Sequence, residues 1–484
     1  MTGTEIFEVY TNLGDFWQID SVLKSENEAK SAATRLFSRP PISGVRIVRT
    51  WRAANGSNRE DITFERVKSN FDHRHRAARA VRFDQIPKCR QHADLTRFPA
   101  RLVINRLFRA YLAERAALAS EILHNSTLFQ AALDDGMMVQ SVVAGVARLQ
   151  TESEDERGQT RDTLFKMLEE RRSELRSVRD FPEIDWATDT PFARFDEFGA
   201  TADFHLAGSL ANGLRALRST WSKFVHLIAW APIAVRHEVA VRVVDRFIAD
   251  ALSDEEVLNA ALGEPSEKAA AILALSEIIG GKVVETASTS SESDPDRVQA
   301  VLGRLLSTGA LPETKRVLID HVVSELRGSE TWTESGKRDE EKTAVRDVVL
   351  RLVLGLEVIG GALIADAIAD RMAQVINVGG SKGLIQGLRE FQMLRLDPER
   401  EVGFLLALLR GRHQKTIGAP VYRALDRFLS LGGNFHKIFA AGYHPTESFR
   451  RAALIYRALS NAPITRRAEN VSSWEARCLP DDGA

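Results

Sequence analysis

The sequence predicts a mainly α protein: a small N-terminal ββαββ (α+β) module followed by an irregular array of helical hairpins. Three observations carry that prediction. Strand-type alternation is confined to residues 5–67, apolar residues recur at helical spacing almost everywhere after Pro99, and the helical segments are joined by short turns, several of them carrying a double glycine. A period near two marks a half-buried strand and a period near 3.6 an amphipathic helix.

In the module, Glu5 to Thr11 and Phe16 to Leu23 flank Asn12-Leu13-Gly14-Asp15, a hairpin connection with turn chemistry. Ser25 stands three residues before Glu28 as a capping box, and Ala29, Ala32, Ala33, Leu36 and Phe37 give the following helix its apolar face. That helix ends before Pro40-Pro41. Val45 to Trp51 and Asp61 to Val67 form a second hairpin around Asn55-Gly56, whose residues tolerate the positive φ angles of a tight turn. One helix covers one face of a four-stranded sheet. The other face must therefore be polar, pack on the rest of the chain, or meet a partner, and it is the first interaction candidate.

Residues 66–109 carry twelve basic residues against three acidic ones, a local charge of +9, with a connector proper at 68–98. A first helical block spans 99–285 and contains an aromatic, proline-broken loop at 179–204. Within it, Pro232 reads as a first-turn proline, Ser253 with Glu256 as a capping box, and Glu264-Pro265 as a helix opening. Residues 286–296, rich in Ser and Thr, read as a linker and domain boundary. A second block at 297–462 reads as helix after helix, including one at 339–359, before a polar tail at 463–484. The double glycines at 280, 360, 379 and 432 follow no constant period, so no strict solenoid is indicated.

At 484 residues the chain is long enough for two to four folded units. Its 44% hydrophobic and 27% charged residues exclude collagen-like, wholly disordered and disulfide-scaffold classes. With 65 Lys and Arg against 66 Asp and Glu, any preference for polyanions must be local. The two cysteines, Cys89 and Cys478, have no paired spacing. A reducing, cytoplasmic setting is expected. The N-terminus lacks a basic segment followed by an apolar run, so no secretory signal is expected. The most apolar stretches, Phe224 to Val235 and Val348 to Ala369, are interrupted by polar or charged residues and read as buried helices.

Three candidate sites follow from residue type. Arg74, Arg76, Arg79, Arg82, Lys88 and Arg90 form a polyanion-binding candidate, because clustered cations neutralise phosphates; pairing with Glu152, Glu154, Asp155 and Glu156 is the bland alternative. His73, His75, Cys89 and His92, with Asp72 beside them, offer a metal-ligand pattern, opposed by the interleaved Arg74, Arg76, Lys88 and Arg90. Trp186, Phe192, Phe195 and Phe198 are candidate partner-docking anchors. Gly379-Gly380-Ser381-Lys382-Gly383 lacks P-loop spacing, His237-Glu238 lacks the second histidine of a zincin, and no motif requires a cofactor. The expected function is that of a non-enzymatic scaffold or adaptor binding protein partners through the sheet face and helical surfaces. Nucleic-acid or polyanion binding through 66–109 is the first alternative, and an enzyme with a site assembled from sequence-distant residues the second. Association with a second copy is compatible with either of the binding readings.

Overall fold

A computed structural model describes residues 5–12, 17–38, 42–52, 58–68, 88–151, 153–178, 180–186, 188, 190–265, 267–281, 294–328, 330–333, 335–376, 380–392, 396–430 and 445–460. The chain divides into two compact units, Met1–Pro265 with Gly281–Leu318 and Ser266–Gly280 with Ile319–Ala484.

Unit one opens with β1 (Glu5–Asn12), β2 (Trp17–Leu23), α1 (Glu26–Ser38), β3 (Gly44–Arg52) and β4 (Asn58–Val67). The strands form one antiparallel sheet in the order β2-β1-β3-β4, with Val9 opposite Ile47 and Tyr10 opposite Ile19. This is the expected ββαββ order. Phe7, Val9, Val45 and Ile47 lie on one face, against Ala29, Ala32, Ala33 and Leu36 of α1. The three alanines let the helix backbone approach the sheet closely.

On the other face, Ile6, Tyr10, Ile19, Val22 and Val48 pack against Val103, Leu107, Met138 and Val142. Those residues belong to α2 (Phe98–Leu107) and α6 (Gly136–Gln150). Of the three outcomes open to this face, packing on the rest of the chain is the one found over β1 and β2, because burying those side chains removes apolar surface from water; there it is not free for a partner.

Between and after these helices, unit one carries α3 (Arg109–Glu114), α4 (Ala119–His124), α5 (Ser126–Asp134), α7 (Glu154–Ser177), α8 (Ala202–Leu214), α9 (Thr220–Ala234), α10 (Glu238–Leu252) and α11 (Glu255–Ala261). Pro232 lies inside the last turn of α9, not at a helix start. Asp254, not Ser253, caps α11, its Oδ1 accepting the Glu256 N–H at 3.0 Å, while Ser253 closes α10.

The next helices alternate between units. The helix α12 (Lys268–Ile279) belongs to unit two and packs on α15 (Arg338–Leu352); α13 (Pro295–Ser307) belongs to unit one and packs on α9 and α11. The expected boundary at 286–296 therefore separates two helices whose packing assigns each to the opposite side, and residues 282–293 lie outside the described residues. The helix α14 (Pro312–Arg327) begins in unit one.

Unit two continues with β5 (Val353–Leu354), β6 (Glu357–Val358), α16 (Gly361–Val375), α17 (Gly380–Gln392), α18 (Pro398–Leu408), α19 (Gln414–Ser430) and α20 (Pro445–Ser460). A helix running to 359 was expected. The chain instead leaves α15 at Leu352 and turns through Gly355, at φ 62°, into a two-stranded hairpin, a conformation open to glycine because it lacks Cβ. Among the described residues no helix is long and apolar enough to cross a membrane.

Candidate functional site: a cationic cleft over an apolar chamber

Residues Lys88 to Ala100 form the most site-like feature of unit one. A 3-10 turn at His92–Thr96 is held by Asp94, whose Oδ2 accepts the backbone N–H groups of Arg90 at 2.8 Å and Gln91 at 3.2 Å. The Arg90 amide foremost keeps the Asp94 carboxyl below the usual range, since hydrogen bonds to the charged form favour it. Arg97 caps α2 and Pro99 sits in its first turn, where a missing N–H costs nothing.

A buried arginine anchors this turn from beneath. Arg101 is 0% exposed; its Nη1 donates to the Thr96 carbonyl at 2.8 Å and its Nε to Asp250 Oδ1 at 3.1 Å. Asp250 also accepts from Asn105 at 3.1 Å and from the Ser120 amide at 2.8 Å. Arg101 is one of the twelve basic residues of 66–109. The structure makes it internal because two carboxylates, Asp250 and Glu313, neutralise it, and a buried charge is tolerated only when it is paired in this way.

The turn walls a cleft of about 710 Å³ whose described lining holds Lys88, Arg90, Arg97 and one acid, Asp94, with Arg97 Nε 3.2 Å from Asp94 Oδ1. Gln150 of α6 and Thr163 of α7 add neutral hydrogen-bonding groups. Behind it lies an apolar chamber of about 100 Å³, bounded by side chains such as Val103, Leu123, Phe129, Val143 and Leu168. Cys89, Ala100, Gln150 and Leu164 line both spaces.

Cys89 is half-buried at this junction. Burial, and then the Asp94 charge, push its thiol up, with a Gln150 hydrogen bond pulling the other way. The thiol form is thereby favoured, whereas nucleophilic attack and metal ligation use the thiolate. His92 turns to α7, its ring nitrogens 3.5 Å from Glu170 and 3.4 Å from Glu174. Among the described residues no three His, Cys, Asp or Glu side chains gather as a metal site. His73, His75, Arg74, Arg76, Arg79 and Arg82 lie outside the described residues. Of the expected polyanion set, Lys88 and Arg90 share the cleft, and Lys88 reaches Glu156 only at 3.9 Å between exposed side chains.

The aromatic loop is turned inward. Phe192 and Phe195 are each 1% exposed, so they anchor the loop in its own unit and are not presented for docking. Phe198 stacks on His205 at 4.1 Å. Trp186 keeps 40% exposure while stacking on Trp230 at 3.9 Å.

Other charge clusters arise from sequence-distant residues. Lys223 donates to both oxygens of Glu121, at 2.7 and 2.8 Å, and to the Ala116 carbonyl at 2.6 Å, with both charged groups buried. In unit two, Asp370 meets His413 at 2.8 Å and also Arg412 and Arg327. Burial opposes the Asp370 charge, but these partners outweigh it and hold the carboxyl low. Lys223 and Glu121 satisfy each other, and the Asp370 carboxylate is engaged by His413, Arg412 and Arg327, which suits structural roles. Comparison with protein-family models, curated proteins and solved structures finds no match to this chain.

Proposed function

We propose that this is a non-enzymatic binding protein that takes an anionic ligand in the cleft walled by Lys88, Arg90 and Arg97. The observation that supports this reading is the excess, among the described lining residues, of three cations over one acid around a cleft of about 710 Å³, a size within the range of roughly 300–1,000 Å³ common for small-ligand sites. Isothermal titration of the full chain with inorganic phosphate and pyrophosphate tests it. Binding should weaken as salt rises and disappear in the Lys88→Gln/Arg90→Gln/Arg97→Gln variant; no binding, or unchanged binding in that variant, refutes it. The free, half-buried thiol of Cys89 supports a reducing, cytoplasmic setting, which fractionation of native cells checks.

A second reading, adaptor-like protein binding, is favoured by β4. It is an edge strand of the sheet, with Ile62 at 51% and Val67 at 52% exposure. A strand from a second copy of the chain can extend such an edge through main-chain hydrogen bonds. Sedimentation should then show a dimer that Ile62→Lys dissociates; a monomer at all concentrations counts against it.

A further inference from the structure

We propose that the ligand is amphipathic: an alkyl carboxylate of short to medium chain, its head group on Lys88, Arg90 and Arg97 and its tail in the apolar chamber. The inference rests on the anion-binding reading of the cleft and adds what lies behind it. The two spaces adjoin. Cys89, Ala100, Gln150 and Leu164 line both, so a molecule held at the cationic wall has apolar space directly beyond its head group.

The chemistry of each space selects one end of the ligand. The chamber walls are hydrocarbon apart from the Cys89 thiol and the Gln150 amide at the junction. A second charge or a hydroxyl placed deeper would be desolvated without a hydrogen-bond partner. Its volume of about 100 Å³ is below that of cavities of about 150 Å³ that stay dry and hold a benzene-sized guest. A few methylene groups fill it. The cleft supplies the polar groups that the chamber lacks, three cations and the hydroxyls of Thr160 and Thr163 among them. Arginine in particular matches the planar geometry of a carboxylate.

Ala100 is the position that separates the two parts experimentally. It lies in the first turn of α2, half-buried, and borders both spaces. Ala100→Leu projects bulk between them while leaving all three cations in place, and leucine is a good helix former.

The test is isothermal titration of the full chain, wild type and Ala100→Leu, with the straight-chain carboxylates from acetate to decanoate, alongside inorganic phosphate. Affinity of the wild type should rise about fourfold per added methylene, the factor expected for burying one CH₂, and stop rising once the chamber is full. In Ala100→Leu the dependence on chain length should vanish. Affinity independent of chain length in the wild type, with phosphate still bound, overturns the amphipathic ligand and leaves the cleft reading standing. A chain-length dependence that survives unchanged in Ala100→Leu also overturns it, because the tail then lies elsewhere. Failure of phosphate and every carboxylate to bind overturns both.

Discussion

Asp245 offers a direct test of how burial and hydrogen bonding compete in unit one. It lies on α10, 1% exposed, and caps the start of α14: its Oδ2 accepts the Glu313 N–H at 2.8 Å and its Oδ1 the Thr314 N–H at 2.9 Å. Burial pushes the carboxyl from 3.8 up to about 6, against the pull of the Thr314 and Glu313 donors. The folded state therefore binds a proton more tightly than the unfolded state does. A group raised in this way contributes stability that is complete below pH 3.8 and is lost as pH rises through about 6. At about 1.36 kcal/mol per pH unit, the loss is about 3 kcal/mol, or roughly 150-fold in an opening equilibrium. Asp245→Asn removes the titration while keeping the shape. Hydrogen exchange of the slowest amides in α10 and α14 should be compared between wild type and variant at each pH from 4 to 7, so that intrinsic exchange chemistry cancels. Wild-type protection relative to the variant should fall by roughly two orders of magnitude across that range. A flat ratio would show that the two amide donors and the positive end of α14 keep Asp245 ionised at pH 4, and the burial argument would be wrong.

Breaking the buried pair by Glu121→Ala should lower stability by about 3–5 kcal/mol, because Lys223 keeps its charge without a counter-ion; the double variant Glu121→Leu/Lys223→Met should lose less than either single change in urea unfolding, and additive losses would contradict the pairing. A Cβ at Gly403 would stand 2.7 Å from the Leu356 backbone and 2.8 Å from the Gly355 carbonyl, atoms that cannot rotate away. Gly403→Ala should therefore lower the melting temperature through overpacking worth about 1–3 kcal/mol, and an unchanged melting temperature would deny that close approach. Ala132, buried and bordering the apolar chamber, can be enlarged: Ala132→Leu should raise stability by up to about 2 kcal/mol and abolish the chain-length dependence of carboxylate binding. A destabilised Ala132→Leu variant would show that the chamber is already filled.

The ββαββ module was legible in the residues because its signals are local. Alternation along Glu5 to Thr11 and Val45 to Trp51, alanines at helical spacing and an Asn-Gly turn act over a few positions, and β1, β2, α1, β3 and β4 appear in that order. Most helices were legible for the same reason, their apolar residues recurring every turn. Local signals failed where a residue type is compatible with two roles. Pro232 reads as a first-turn proline, where its missing N–H costs nothing, yet it lies near the end of α9, and Val353 to Val358 is as apolar as a helix end but is bent by Gly355 into a hairpin.

The candidate site was legible only as a surplus of charge. Sequence placed Lys88, Cys89 and Arg90 in the 68–98 connector and Arg101 in the helical block after it, but could not show that Arg101 is buried, since its partner Asp250 lies 149 residues away. Nor could it show that Val103 and Met138 would cover the spare face of the sheet, or that Phe192 and Phe195 would turn inward. Helical and strand periodicity state which side chains must leave water. Which distant surface receives them, and which charge is neutralised there, is decided only when the whole chain packs, because desolvation and ion pairing depend on neighbours in space and not in order along the chain.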